Sequence, residues 1–350
     1  MAEEVAVGPE VVDDDPAGLE RAAALLRAGG LVAFPTETVY GLGASIERPA
    51  ALRRVFEAKG RPTADPLIVH VADVDAARSF AGDWPDAAQV LAERCWPGPL
   101  TVVVARPPGL DDLVCAGGST VGVRVPAPVA TRTLLTAVTA PVAAPSANRF
   151  GRISPTTAAH VVAEFGGDDV TDRPDLVVDG GPCRLGVEST VVDVTGPVPV
   201  VLRPGGVGVE DIERWLGAVE VRQRLGGAGP HVAPGGYLAH YAPSRPLVVL
   251  DAGAGTVDRV VAHARSSGLG LSSLDLPGDP SAAASALYRR LRSLDEQGGG
   301  PILAELLPPG GVGRAVNDRL YRAAHGRLVV VAADDPADEV LAAVVALVGG

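Results

Sequence analysis

Lys59 and Arg61 stand on either side of Gly60, at the end of a segment, Ala50–Lys59, in which Leu52, Val55 and Phe56 recur at i, i+3 and i+4. That spacing predicts a helix, and glycine is the residue that most readily closes one in the left-handed conformation. Cations at such an end complement the helix dipole. An ammonium beside a forked guanidinium can equally hold a polyphosphate and offset the charge that develops as pyrophosphate leaves. Both readings stand on this segment alone.

Three other polar groups invite chemistry. Ser146 and Asn148, in Ala144-Pro-Ser-Ala-Asn-Arg149, follow the apolar stretch Pro141–Ala144. They are turn formers, and they also sit where open α/β sheets meet ligands, at the C-terminal end of a strand. In Val121-Gly-Val-Arg-Val125 the two-residue period sets Arg124 opposite the valines, as a solvated edge residue or as a clamp for a carboxylate. His70, within the doubly apolar strand Leu67–Val71, reads as a satisfied core histidine or as a donor to a substrate hydroxyl or carboxylate. Gly41-Leu-Gly43 lacks the spacing of a dinucleotide fingerprint, and no G-x-x-x-x-G-K-[ST] loop occurs. Metal-site spacings such as H-E-x-x-H are absent too, though Mg²⁺ held mainly through nucleotide phosphates needs few protein ligands.

The elements that must position these groups follow from periodicity and punctuation. Helices are expected over Leu19–Ala28 (closed by Gly29-Gly30), Ala50–Lys59, Asp75–Phe80 and Asp86–Cys95, and another after Ser154-Pro155, with Ser as N-cap and Pro at the first position. Strands fit Leu31–Phe34, Leu67–Val71, Leu100–Ala105, Val121–Val125, Pro141–Ala144, Leu176–Val178, Thr190–Val194 and Val198–Leu202. Without regular β-α alternation, this order suggests a mixed, curved sheet. The Gly- and Pro-rich run Leu225–Gly236 marks a linker. Beyond it strand and helix alternate from Pro246 to Leu347, the pattern of a small doubly wound domain.

Composition sets bounds on function. With 350 residues the chain has room for two domains, and 47% hydrophobic residues with 21% charged describe a folding chain. A net charge of −12 disfavours nucleic-acid gripping as the main task. No apolar run approaches the roughly 18 residues of a membrane span, and the acidic start Met1-Ala-Glu-Glu4 is unlike a secretion signal. A cytoplasmic protein is expected. Cys95, Cys115 and Cys183 are odd in number and far apart, so they read as free thiols.

Taken in order, Gly29–Gly43 with Pro35-Thr-Glu-Thr38, Ala58-Lys-Gly-Arg-Pro62, Pro66-Leu-Ile-Val-His70, Trp96–Thr101, Ala144-Pro-Ser-Ala-Asn148, Gly186-Val-Glu-Ser-Thr190 and Leu202-Arg-Pro-Gly205 resemble the YrdC-like threonylcarbamoyl-AMP synthase family. His240-Tyr-Ala-Pro243 and Asn317–Ala324 extend the resemblance to its long, two-domain form. The resemblance implies an α/β protein: a YrdC-like twisted mixed-sheet domain with a deep, positively lined cavity, and a smaller Rossmann-like C-terminal domain. The corresponding spans are a tail over 1–18, a catalytic domain over 19–220, a linker covering the active site over 221–245, and the second domain over 246–350.

The activity so implied is nucleotidyl transfer, making threonylcarbamoyl-AMP and pyrophosphate from L-threonine, bicarbonate or CO₂, and ATP, with Mg²⁺ carried on the ATP phosphates. Lys59 and Arg61 would be catalytic and, with Ser146, Asn148, Ser154, Arg203 and Tyr241, would contact ATP. Thr36, His70, Arg124 and Ser189 would hold L-threonine. The product would pass to a tRNA threonylcarbamoyl-transferase complex, with direct tRNA binding weak or absent. Two alternatives are a carbamoyl-adenylate-forming domain of the hydrogenase-maturation type, whose companion zinc-finger cysteine pairs are missing here, and a non-catalytic RNA-binding module.

Overall fold

The computed structural model describes residues 8–167, 172–222, 240–332 and 334–349. The chain divides into two compact units, Met1–Phe150 with Ser154–Gly236, and Gly151–Ile153 with Tyr237–Gly350. Most of the expected linker, residues 223–239, lies outside the described residues.

In the first unit the chain runs β1 (Glu10–Asp13), α1 (Pro16–Ala28), β2 (Val32–Phe34), β3 (Gly41–Ser45), α2 (Pro49–Lys59) and β4 (Ile68–His70). It continues with α3 (Val74–Phe80), α4 (Asp86–Cys95), β5 (Leu100–Ala105), α5 (Asp112–Cys115), β6 (Thr120–Arg124), α6 (Val129–Val138) and β7 (Val142–Ala143). It closes with α7 (Ala158–Phe165), β8 (Leu176–Asp179), β9 (Thr190–Asp193), β10 (Val200–Arg203), α8 (Val209–Leu216) and β11 (Glu220–Val221). Eleven strands form one mixed sheet in the order β1-β8-β2-β3-β7-β4-β6-β5-β9-β10-β11. β4 pairs in parallel with β6 but antiparallel with β7, and β5 is antiparallel to β6 but parallel to β9.

Apolar side chains cover both faces of this sheet. Leu19 and Leu26 of α1 and Leu134 and Val138 of α6 pack on Val32, Phe34 and Val142. A larger cluster joins Leu52 and Val55 of α2, Leu91 of α4 and Val161 of α7 to Val69, Val102 and Val123. Gly43 explains the glycines of β3: a Cβ there would lie 2.5 Å from Cε1 of Phe34 and 2.9 Å from Cγ1 of Val142. These glycines serve strand packing.

Three expectations need correction. Residues 10–13, taken with the tail, form an edge strand parallel to β8; four mostly exposed residues give too short a pattern to show a period. Likewise α1 starts at Pro16, because Asp15 accepts a hydrogen bond from the Gly18 amide and Pro suits the first turn. The helix expected to start at Ser154-Pro155 begins only at Ala158, capped by Thr157, whose hydroxyl accepts from the His160 amide. Ser154 is otherwise engaged, donating its hydroxyl to Glu188 at 2.7 Å, while the Pro155 carbonyl accepts from the Tyr40 amide.

The second unit is an all-parallel sheet with helices on both faces. Its elements are β12 (Leu247–Asp251), α9 (Thr256–Ser266), β13 (Ser272–Ser273), α10 (Pro280–Gln297), β14 (Ile302–Glu305), α11 (Val312–Ala323), β15 (Leu328–Val330) and α12 (Ala337–Val348). The strand order is β13-β14-β12-β15. Val260 of α9 and Val344 of α12 join Val248 and Leu250 of β12 in one cluster, and α10 packs on α11. The doubly wound pattern expected from the alternation is present.

Candidate active site

The turn between β2 and β3 is built on hydroxyls. Thr36 Oγ1 donates to the Val39 carbonyl at 2.6 Å, accepts from the amides of Thr38 and Val39, and lies 2.7 Å from Thr38 Oγ1. All of these groups are buried. Arg124, the last residue of β6, reaches this turn: its guanidinium bonds Glu37 at 2.7 Å and Thr38 Oγ1 at 3.0 Å. Glu37 also accepts from the Ala127 amide at 2.9 Å. β6 lies between β4 and β5, so Arg124 is interior, not the solvated edge residue that its pattern allowed.

His70 pairs with Arg124 across β4 and β6. Its Nδ1 lies 3.2 Å from the Ile68 carbonyl, which assigns the proton to Nδ1 and leaves Nε2 as an acceptor. Burial, reinforced by the Arg124 charge, pulls its pKa from 6.5 down to about 3, so the ring is neutral. Its imidazole meets Phe34 edge to face with centroids 6.0 Å apart.

Lys59 and Arg61 leave α2 as the helix end predicts, since Gly60 takes the left-handed conformation at φ 60°. Both side chains are buried. The Lys59 ammonium donates to the Ser146 carbonyl at 2.6 Å and to the Asn148 carbonyl. Burial, and then the neighbouring Arg61, hold its pKa well below 10.5. Arg61 pairs with buried Asp65 at 2.9 Å and donates to the Pro66 carbonyl at 2.8 Å. The Ser146–Asn148 loop is itself fixed to β3 and its approach: the Ala147 amide bonds Tyr40 and the Leu42 amide bonds Pro145, each at 2.8 Å.

A fourth cation stands at the end of β10. Arg203 donates to the Ser189 carbonyl at 3.0 Å and to its hydroxyl at 3.2 Å, and that hydroxyl lies 2.8 Å from Thr101 Oγ1. Gly205 is required here: a Cβ would fall 2.2 Å from the Thr190 nitrogen and 2.5 Å from the Glu188 carbonyl.

The structure thus joins Thr36 to Arg124 through Thr38 and sets His70 beside Arg124 in the strand register, brings Lys59 together with Ser146 and Asn148, and brings Ser189 together with Arg203. Ser154 is tied to Glu188, the residue before Ser189. Tyr241 belongs to the second unit, where it stacks on Tyr288 with centroids 5.9 Å apart beneath the Arg319 guanidinium, 5.1 Å from its ring. Sequence reading had not singled out Glu37, Thr38, Asp65, Thr101 or Glu188 among the site residues. Glu37, Thr38, Asp65 and Glu188 each lie one to four residues from a chosen residue, where the signal available was an acid or hydroxyl near a cation that burial would oblige to pair, whereas Thr101 is remote in sequence from all of them and meets Ser189 only in the fold.

Comparison with known proteins accords with this arrangement. A family model described as Telomere recombination matches residues 24–205, and one described as Threonylcarbamoyl-AMP synthase, C-terminal domain, matches 207–325. The Bacillus subtilis threonylcarbamoyl-AMP synthase is 38% identical over 93% of this chain and 98% of its own length, and that of Pyrococcus abyssi is 40% identical over 89% and 95%. The crystal structure of P. abyssi Sua5 complexed with L-threonine superposes with a TM-score of 0.86 at 37% identity, covering 93% of this chain and 99% of that one. With both of its units matched and its length spanned by such relatives, the chain belongs to the threonylcarbamoyl-AMP synthase family.

Proposed function

We propose that this protein forms threonylcarbamoyl-AMP and pyrophosphate from L-threonine, bicarbonate or CO₂, and ATP, supplying tRNA N6-threonylcarbamoyladenosine modification in the cytoplasm. The observation that carries the reading is Lys59, a buried ammonium that meets backbone carbonyls beside a second buried cation, Arg61. Such a group gains from an incoming polyanion, because the full charges of a phosphate in direct contact compensate it more strongly than carbonyl dipoles do in a low-dielectric site.

The chemistry requires positioning and charge compensation. The neutral threonine amine forms a bond to the carbon of CO₂ and loses a proton, giving an N-carboxylate. One carboxylate oxygen then attacks the α-phosphorus of ATP, a P–O bond forms, and the bond to the β-phosphate oxygen breaks with loss of pyrophosphate. Two anions must approach one another, so Lys59, Arg61 and Arg203 offset their repulsion. Ser146, Asn148, Ser154 and Tyr241 complete the ATP contacts in this reading. Arg124 holds the threonine carboxylate, with Thr36, Ser189 and neutral His70 around the amino acid, His70 accepting through Nε2. Lys59 and Arg61 are the catalytic pair.

Mg²⁺ fits as an ion held mainly through the ATP phosphates; among the described residues no group of three or more His, Cys, Asp or Glu could form a cage of its own for it. It would add charge compensation to that of the cations. The product is then handed to a tRNA threonylcarbamoyl-transferase complex, and the chain itself binds tRNA weakly if at all, as its charge of −12 favours. No helix among the described residues is long and apolar enough to cross a membrane.

Incubation of the purified protein with ATP, bicarbonate and L-threonine tests the reading. Pyrophosphate and an adenylate of the expected mass should appear together and vanish when threonine is omitted. Product formed from carbamoyl phosphate without threonine would assign the chain to the other carbamoyl chemistry.

A further inference from the structure

The second unit contains a crevice of about 740 Å³ that the reaction in the first unit leaves unused. It opens beyond the C-terminal ends of β12, β13 and β14. β12 and β14 are neighbours, yet α9 follows β12 onto one face and α11 follows β14 onto the other. The crevice therefore sits at the topological switch point, where open parallel sheets bind their ligands.

Its walls are unsuited to a phosphate. Asp251, Asp258, Asp275 and Glu305 line it, together with Leu274, Leu306 and other apolar groups, and no Lys, Arg or His lines it among the described residues. The sequence Gly253-Ala-Gly255-Thr-Val-Asp258 puts an aspartate where the third glycine of a dinucleotide loop would stand. The amides of Gly255 and Thr256, which could cradle an anion, already face the Glu305 carboxylate. Glu305 is a half-buried residue of the crevice wall, and its Oε1 has no hydrogen-bond partner among the described residues. Asp275 has one exposed partner, Arg290 at 3.2 Å.

The acids do not converge on a point: no three of them group closely enough to hold a metal ion among the described residues. A ligand matching them must spread its positive charge along an apolar stem. We infer that this crevice binds a small linear organic polycation, a polyamine, whose ammonium groups meet Glu305 and the aspartates while its methylenes lie on the leucines. Asn317 supports the site, since its amide group clasps the Leu307 backbone, accepting from the nitrogen at 2.8 Å and donating to the oxygen at 2.7 Å, and so fixes the loop after β14.

Calorimetric titration of the full-length protein with spermidine, without ATP, tests this. Saturable one-to-one binding is expected, weakened at least about tenfold by Glu305→Gln and by Asp251→Asn, the second being an exposed position tolerant of substitution. Both variants should form threonylcarbamoyl-AMP at the wild-type rate without spermidine, which separates failure of this inference from failure of the proposed reaction. Absence of saturable heat, wild-type affinity in both variants, or preferential binding of adenosine or inorganic phosphate at these residues would overturn it.

Discussion

Lys59 links the sequence most directly to the chemistry. Its pKa is held well below 10.5 because burial disfavours the charged form and Arg61 adds repulsion. A bound triphosphate reverses both influences, so ATP binding should draw in a proton at pH values above the depressed pKa. Titrations in buffers of different ionisation enthalpy should then differ in observed heat, and Lys59→Ala should remove the difference. The same substitution should lower kcat by about 10²–10³ with an unchanged far-ultraviolet spectrum. Arg61 is a poorer probe, because Arg61→Ala strips buried Asp65 of its ion pair, a change that costs about 3–5 kcal/mol of stability.

His70 carries a pH signature of its own. Its folded pKa, about 3, lies below the ordinary 6.5, so between these values the unfolded chain holds a proton that the folded chain does not. Stability from this residue is therefore intact above pH 6.5 and lost as pH falls towards 3. From pH 7 to pH 5 the loss is about 2 kcal/mol. Denaturant unfolding at both pH values should show that His70→Gln narrows the difference by this order; an unchanged difference would contradict the buried neutral imidazole.

At the scale of elements, legibility followed local signals. α2, α4 and β5 could be read because period and punctuation agree: Gly60 ends α2 in the left-handed region, and Leu100–Ala105 is a continuous apolar strand. β1 and β3 were hidden, one by its shortness and the other by glycines whose purpose, room for Phe34, exists only once the sheet is formed. Ser154 shows the limit of capping rules. A serine before a proline is a good helix start until a distant carboxylate, Glu188, takes the hydroxyl. The site was legible as residue types in order, but Glu37, Asp65 and Thr101 were not, because pairing with a buried cation or hydroxyl is a tertiary fact.

The segment Asn317–Ala324 was legible as part of the strand–helix alternation and as a motif, and α11 gives it a role. Arg319 is fully buried, pairs with Asp318 at 2.7 Å and lies over Tyr241, while Arg322 bonds the same carboxylate at 3.0 Å. Arg319→Ala should cost about 3–5 kcal/mol in unfolding of the full chain, because it breaks a buried charged network and a cation–π contact. Arg319→Lys should recover only part of this, since an ammonium lacks the planar fork.

For the whole molecule, the instructive contrast is between a net charge of −12 and four buried cations in the first unit, Lys59, Arg61, Arg124 and Arg203. Overall charge repels a polyanionic macromolecule, whereas the interior cations act at short range and low dielectric on a small one. That division suits an enzyme acting on ATP and an amino acid. Its central claim is that threonine nitrogen, a one-carbon unit from bicarbonate and the adenylyl group of ATP end in one product. The most direct measurement supplies ¹³C-bicarbonate, ATP and L-threonine and follows products by mass spectrometry. The account predicts a threonine-dependent adenylate carrying one ¹³C, formed in step with pyrophosphate. Pyrophosphate release that ignores threonine, or an adenylate without the label, would contradict it.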